Sequence, residues 1–331
     1  MVLAKGRTAT DPNRCKRSLF TGSDLWHYTY VVGAYTALRS WKVRANNDKK
    51  GGYTMQALFT LTSAESKRLI ARGIVSMPEV IQAKEEGYLL VGRGSTNAYI
   101  AEELLGEPLE KETYTVGQII RGIPCALVQS VRMQPVTFHK NKRLDIDPST
   151  VIDKLGPGDI LLKGANAVDN EGHVGIVMAS PTGGTMGQFY LPMKARGATI
   201  IYPVGLEKMV LSVEEASRMG GFRTIERSIG VPVGMVCVND GMAYTEMDAL
   251  GELFDVEAVH FASGGYGGAE GAVTIIIEGD DEEVNECCDY IEGIKGEPPL
   301  PGIKPPCKTC PMLCSFQGME EEDLPDYLRD A

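Results

Sequence analysis

The sequence predicts an α/β fold: a mostly parallel sheet covered by helices, then a second, smaller α+β domain, then a cysteine-bearing C-terminal tail. Three observations carry that expectation. Short apolar runs alternate with helical patterns from residue 55 to about residue 202, the rhythm of parallel strands joined by crossover helices. Glycine is abundant (38 of 331 residues) and aromatic residues make up only 7%, which suits a loop-rich α/β chain better than a sandwich with an aromatic core. From residue 233 the order changes to strand, helix, strand, strand, helix.

The elements follow in order. Thr62 and Glu65 have the spacing of a capping box, so a helix is predicted over 64–72. Pro78 opens a second helix that ends near Gly87. The apolar run 88–92 reads as a buried strand, and 97–105 as a helix closed by Gly106. A strand is expected over 126–131. Gly156-Pro157-Gly158 is a turn leading into a strand at 159–163. Strand 174–178, helix 186–196 and strand 198–202 complete a Rossmann-like domain assigned to 55–215. Strand 233–238, helix 244–254, strands 258–261 and 272–278, and helix 282–294 form a small, lid-like α+β domain of ferredoxin-like type over 216–296. The tail, 297–331, holds five prolines between Pro298 and Pro306, three cysteines and an acidic end.

Charge limits the partners. The net charge of −11 argues against a broad nucleic-acid footprint. No run approaches about 18 consecutive apolar residues, so no membrane partner is expected. Residues 1–54 carry ten Lys or Arg against three Asp, whereas the remainder carries 23 basic and 41 acidic side chains. Such a break marks a boundary. The basic segment lacks the apolar core and cleavage site of a targeting peptide, and its charges form no helical stripe. Lys50-Gly51-Gly52 can be encoded by codons that contain a ribosome-binding sequence just upstream of the Met55 codon. Two readings stay open: Met55 is the natural start, or 1–54 is an arm. No function is assigned to it. With no signal peptide in view, a cytoplasmic location with reduced thiols is expected, and self-association into a homo-oligomer stays open.

The segment Gly92-Arg93-Gly94-Ser95-Thr96-Asn97 runs from strand through a glycine turn into a helix. Glycines let backbone approach a ligand closely, while hydroxyls and free amides at a helix N-terminus hold anions, with Arg93 adding charge. The same residues serve equally as a plain turn with Ser95 or Thr96 as cap. The segment has neither the Gly-Lys-Ser/Thr ending of a P-loop nor the third glycine of a dinucleotide fingerprint.

Continued through Ala98-Tyr99 and Glu102-Glu103-Leu104, this stretch resembles the phosphate loop of the ribose-5-phosphate isomerase A family. Asp159-Ile160-Leu161-Leu162-Lys163-Gly164-Ala165-Asn166-Ala167-Val168-Asp169 is similar to that family's strand ending in an aspartate-rich motif. Gly183-Gly184-Thr185 sits where the family has a glycine run before a helix. The resemblance spans about 62–280 and extends to the superfamily of that isomerase, glucosamine-6-phosphate deaminases and CoA-transferases. It implies a phosphorylated small molecule held at 92–97 and 183–185. The chain departs at the chemistry: the family's two catalytic aspartates align with Lys163 and Asn166, its lysine has no counterpart, and its helix glutamate falls near Gln188. Only Asp169 keeps a carboxylate. Proton transfer between adjacent carbons needs a carboxylate base, so isomerase activity is not expected. Lys163, Asn166 and Asp169, with His173, remain the candidate reactive cluster beyond a strand end, where open α/β sheets bind ligands. The competing reading is a solvated loop capped by its own Asn and Asp.

Two alternatives come from other classes. A CoA-transferase needs a glutamate nucleophile, for which Glu171 lies in the right neighbourhood; Glu270, in the glycine run 263–271, is another carboxylate, in a run that reads as a lid loop or a plain link. A metal- or redox-linked interaction protein would use Cys307, Cys310 and Cys314, whose C-x2-C-x3-C spacing lets three thiolates converge on zinc or an iron–sulfur cluster. The fourth ligand would be Cys287, Cys288 or exogenous. A redox dithiol and inert thiols are the other readings. Cys125 and Cys237 read as core.

Overall fold

The computed structural model describes residues 54–329, so the reading of the basic segment lies, up to residue 53, outside the described residues. Residues 54–329 belong to one compact unit. The architecture is mixed α/β around a six-stranded mixed sheet.

The described residues open with strand β1 (Met55–Leu61), whose side chains alternate between core and surface. The expected capping box is formed: the Glu65 amide donates to Thr62 Oγ1 and the Thr62 amide to Glu65, starting helix α1 (Ser63–Ser76). Pro78 begins α2 (Pro78–Glu86), and β2 (Tyr88–Val91) follows. Helix α3 (Ser95–Leu105) starts two residues earlier than its apolar pattern suggests and ends at Gly106, in the left-handed conformation at φ 68°. A hairpin, β3 (Gly117–Ile120) and β4 (Ile123–Ala126), leads to β5 (Val136–His139) and β6 (Lys142–Leu144). The strand expected at 126–131 is corrected here: pairing stops at Ala126, and Gln129–Val131 is a 3-10 turn whose Leu127 carbonyl is held by Arg132. Then come β7 (Ile160–Leu162), β8 (Ala167–Val168), β9 (Val174–Met178), α4 (Gly184–Arg196), β10 (Thr199–Pro203), α5 (Val213–Ser217), β11 (Gly234–Val238), β12 (Met242–Tyr244), α6 (Glu246–Leu253), β13 (Glu257–Ser263), β14 (Val273–Gly279) and α7 (Asp281–Glu292).

The main sheet runs β12-β10-β7-β2-β5-β6. Its first four strands are parallel, and β5 and β6 continue it antiparallel. Strands β11, β9 and β8 form a separate antiparallel sheet. The expected βαββα group therefore does not assemble as one sheet. Its first strand, β11, pairs with β9, and the place beside β14 is taken by β1, in register from Met55↔Gly279 to Leu61↔Val273. A strand from the start of the described chain thus completes the β1-β14-β13 sheet.

The core follows this exchange. Leu89 and Val91 of β2, Ile160 of β7 and Ile201 of β10 belong to the same buried cluster as Val273, Ile275 and Ile277 of β14. A second cluster, with Leu161, Ile176, Phe189 and Ile200, fills the space beneath α4. A third and smaller one joins Ile123 of the hairpin to Phe316, Leu324 and Leu328 of the tail. Arg68 on α1 ties the parts together: it is buried, pairs with Glu102 and Glu103 of α3 and with Glu297, and lies over the Tyr99 ring.

Candidate functional site

The carboxyl ends of the four parallel strands are stitched side by side beyond the sheet. The Gly92 amide donates to the Leu162 carbonyl, the Lys163 amide to Ile201 and the Val204 amide to Tyr244, each at 2.9 Å. The loops after β2, β7 and β10 and the start of α6 after β12 consequently share one edge.

The loop after β2 is pinned from within. Asn97 Nδ2 donates to the Gly92 and Leu162 carbonyls (2.7 and 2.9 Å), and the Gly94 amide donates to the Tyr114 carbonyl. Tyr114 in turn donates its hydroxyl to the Val91 carbonyl and accepts from the Val136 amide. The first turn of α3 is left with polar groups that no protein group meets: Thr96 Oγ1 and Asn97 Oδ1 are buried without a hydrogen-bond partner. An unmet buried hydroxyl or amide oxygen is costly, so it calls for an explanation. Arg93 does not supply charge to this turn. Its guanidinium donates to the Met133 carbonyl at 2.7 Å and braces the lead-in to β5.

Charge comes instead from the neighbouring strand ends. The Lys163 side chain lies beside Gly92, and its ammonium donates to the Gly164 carbonyl; Lys208, from the loop after β10, donates to the Ala165 carbonyl. Burial and the proximity of Lys208 pull the Lys163 pKa down to about 8. Burial lowers Lys208 as well. Beside them, Glu207 accepts from Lys67 at 3.1 Å. Burial opposes its charge, but the Lys208 and Lys67 ammonium groups hold its pKa below the ordinary range. Glu246, wholly buried at the start of α6, accepts from the Leu206 amide; burial and the Glu207 charge raise its pKa to about 7. Gly205 sits so close to Glu207 that a Cβ there would lie 1.8 Å from Oε2. The glycine run 263–271 reaches this point too: a Cβ at Gly271 would stand 3.7 Å from that of Glu207. Two ammonium groups, a depressed carboxylate and a raised one thus line a single strand edge, the kind of clustering of shifted pKa values found at functional sites.

The other expected site residues sit differently. Asp169 is buried and fully engaged: Oδ1 accepts from the Glu171 and His173 amides, Oδ2 from His173 Nδ1 and the Val213 amide. It braces its own loop against α5. Asn166 is exposed and accepts from the Val177 amide, at the end of the β8–β9 pair away from its turn. The polar bonds around Gly183-Gly184-Thr185 are local, to Ser180 and between Ser180 and Thr182. Glu171 is largely exposed, 3.9 Å from His173. Glu270 accepts from the Gly268 amide within its own turn. Lys67, Lys208, Glu207 and Glu246 were not singled out from the sequence. Glu207 and Lys208 follow β10, Glu246 opens α6 after β12 and Lys67 stands on α1, so only the folded chain brings them to one edge.

The tail thiols occupy a second place. Cys307, Cys310 and Cys314 line one cavity under the hairpin, and Cys125 of β4 lines it with them. Cys287 is instead buried in the main core under α7, with Cys288 against the same cluster. All of these cysteines are free thiols. Among the described residues, no group of three or more His, Cys, Asp or Glu side chains is set closely enough to hold a metal ion as it stands. No helix among them is long and apolar enough to cross a membrane.

Compared with known proteins, the chain matches no family model, no curated protein and no solved structure.

Proposed function

We propose that the chain binds a phosphorylated small metabolite, of sugar-phosphate type, at the carboxyl edge of the parallel strands, and that it does not isomerise ribose 5-phosphate. The carrying observation is the Lys163–Lys208 pair. Two half-buried ammonium groups stand side by side, burial lowers the proton affinity of both and Lys208 lowers that of Lys163 further, and their hydrogen bonds run to the carbonyls of residues 164 and 165. An oxyanion beside them and the first turn of α3 meets that demand with charge-assisted bonds and gives the Thr96 hydroxyl a partner. The layout of four parallel strands with their loops at one edge supports a Rossmann-like reading of 55–215, and free thiols among the described residues fit a cytoplasmic location.

Isomerisation lacks a base here. Asp169 accepts four hydrogen bonds, and Asn166 and Gln188 are exposed amides. A missing general base costs about a hundred- to ten-thousand-fold in rate. Glu246, whose proton is held near neutral pH, is wholly buried and accepts from the Leu206 amide, so it does not stand in for that base.

The test is thermal unfolding of the full chain with ribose 5-phosphate, and with inorganic phosphate. Both are expected to raise Tm, and Lys163→Met to abolish the rise. Thr96→Val is the decisive second variant. It removes a buried, unpaired hydroxyl, so the free protein becomes more stable by about 1 kcal/mol while the ligand-dependent shift shrinks. A shift that survives Lys163→Met, or turnover of ribose 5-phosphate, overturns the reading.

A further inference from the structure

We propose that Cys125, Cys307, Cys310 and Cys314 hold a [4Fe–4S] cluster that joins the β3–β4 hairpin to the C-terminal tail.

The four thiols come from two places about 180 residues apart in the chain and meet at one cavity. The tail half is preshaped. Cys310 donates its amide to the Cys307 carbonyl, Gln317 donates to Cys314, and Gly318 closes the loop back onto the Cys307 carbonyl at 2.9 Å. The hairpin half is clamped to it: Gln118 donates to the Ile303 carbonyl and Arg121 to the Leu328 carbonyl. Cys125 lies opposite Gln118 in the hairpin register.

Packing alone does not call for this arrangement. The rest of the cavity is built by Ile120, Ile123, Val231, Phe316 and Leu328, side chains that fill space without a thiol. Four free, unbridged cysteines converging on one apolar cavity are a ligand set. The spacing separates the two metal chemistries. One zinc ion draws four sulfurs to about 2.3 Å from a single centre, and a structural zinc site is usually made of paired C-x2-C turns. Here there is one C-x2-C turn, a third cysteine four residues on and a remote fourth. A cubane carries each cysteine on a separate iron and holds the sulfurs apart, and four-cysteine ligation is its ordinary mode. Lys304, nearly buried and paired with Glu321, lines the same cavity.

Loading is balanced without electron transfer. A preassembled [4Fe–4S]2+ cluster exchanges its four carrier thiolates for the four cysteines: four carrier S–Fe bonds and four cysteine S–H bonds break, four cysteine S–Fe bonds form, and the protons leave on the departing thiols; in reconstitution two Fe(II), two Fe(III) and four sulfides give the same core and the protons go to buffer.

The full chain, purified without oxygen or reconstituted with iron and sulfide, is assayed for iron, acid-labile sulfide and zinc, with the visible absorption recorded. Iron and sulfide at about four each per chain are expected, with a broad band that bleaches on reduction. Cys125→Ser is expected to lose the cluster as fully as Cys307→Ser, whereas Cys287→Ser and Cys288→Ser keep it. Circular dichroism of each variant checks that the fold persists. Should Cys125→Ser unfold, the unaltered protein alkylated before and after loading decides instead: iron must protect Cys125 together with the three tail cysteines. One zinc per chain, about two irons, no bound metal, or a Cys125 left reactive in the loaded protein overturns the assignment.

Discussion

At the carboxyl edge of the parallel strands burial falls on charge. Lys163, Lys208, Glu207 and Glu246 are taken from water, and each is pushed off its ordinary pKa. In the cavity between the hairpin and the tail burial falls on thiols, set among Ile123, Phe316 and Leu328. The first region stands on the largest buried cluster of the molecule and the second on the smallest. Charged groups can be held in strained ionisation states only where a rigid sheet keeps them from relaxing into solvent. Thiols that gain their stability from a ligand need no such foundation, because the ligand itself cross-links them.

The largest expected effect separates the two supports. Leu324 is wholly buried in the small tail cluster, and Leu324→Ala should cost about 2–5 kcal/mol locally. Amide exchange of 118–126 and the tail should accelerate while that of β7 and β10 stays unchanged. Equal acceleration in β7 would break the comparison by showing one cooperative unit.

The next concerns pH. Glu246 has a folded pKa of about 7, above the unfolded value, so the folded state binds the extra proton between about pH 4.3 and 7. Its contribution is full below the unfolded value and is lost as pH rises through 7, a loss of about 3 kcal/mol. Glu246→Gln, which keeps an acceptor for the Leu206 amide, should flatten that decline in denaturant titrations. An unchanged slope would remove the carboxylate from the account.

A smaller effect lies at the lysine pair. Sulfate keeps its charge across the range, so its affinity should fall through pH 8 by up to about tenfold per unit as Lys163 loses its proton. Lys163→Met should bind weakly and without that slope. A flat profile in the unaltered protein would place the anion elsewhere. The smallest effect is at Asn166→Asp. The side chain is exposed and its oxygen already accepts from Val177, so stability should move by less than about 0.5 kcal/mol, and no isomerase activity should appear. Measurable turnover in that variant would show that one aspartate was all the site lacked.

What could be read from the sequence follows contiguity. The capping box at Thr62, the Pro78 helix start and the strand-turn-helix at 88–105 are written in neighbouring residues, and each forms. The tail cysteines are adjacent and meet. Glu207 and Glu246 sit in unremarkable polar surroundings, and only the parallel pairing of β10 with β12 brings the loops that carry them together. The position of Arg93 in the loop says nothing of its rotamer, which turns back to Met133. Nor does the position of Asp169 show that it is tied into its own turn, since a carboxylate beyond a strand end serves a turn as readily as a reaction. Cys125 was legible as a strand residue and not as a neighbour of the tail cysteines' cavity, because hairpin and tail are brought together by the small cluster around Ile123 and by the Gln118 and Arg121 bonds. Strand β1 escaped because its alternation is short and puts Leu58 outward.

That first strand also sets a schedule for synthesis. Met55 and Gly279 are partners, yet the second is translated 224 positions after the first. At about 5–20 residues per second, β1 waits roughly ten to forty-five seconds on the ribosome for the strand that completes it. Contacts of such long range make for slow folding. Until β14 emerges, the row of Ala57, Phe59 and Leu61 has no sheet to cover, and during that interval the nascent chain depends on whatever shields an unpaired hydrophobic edge.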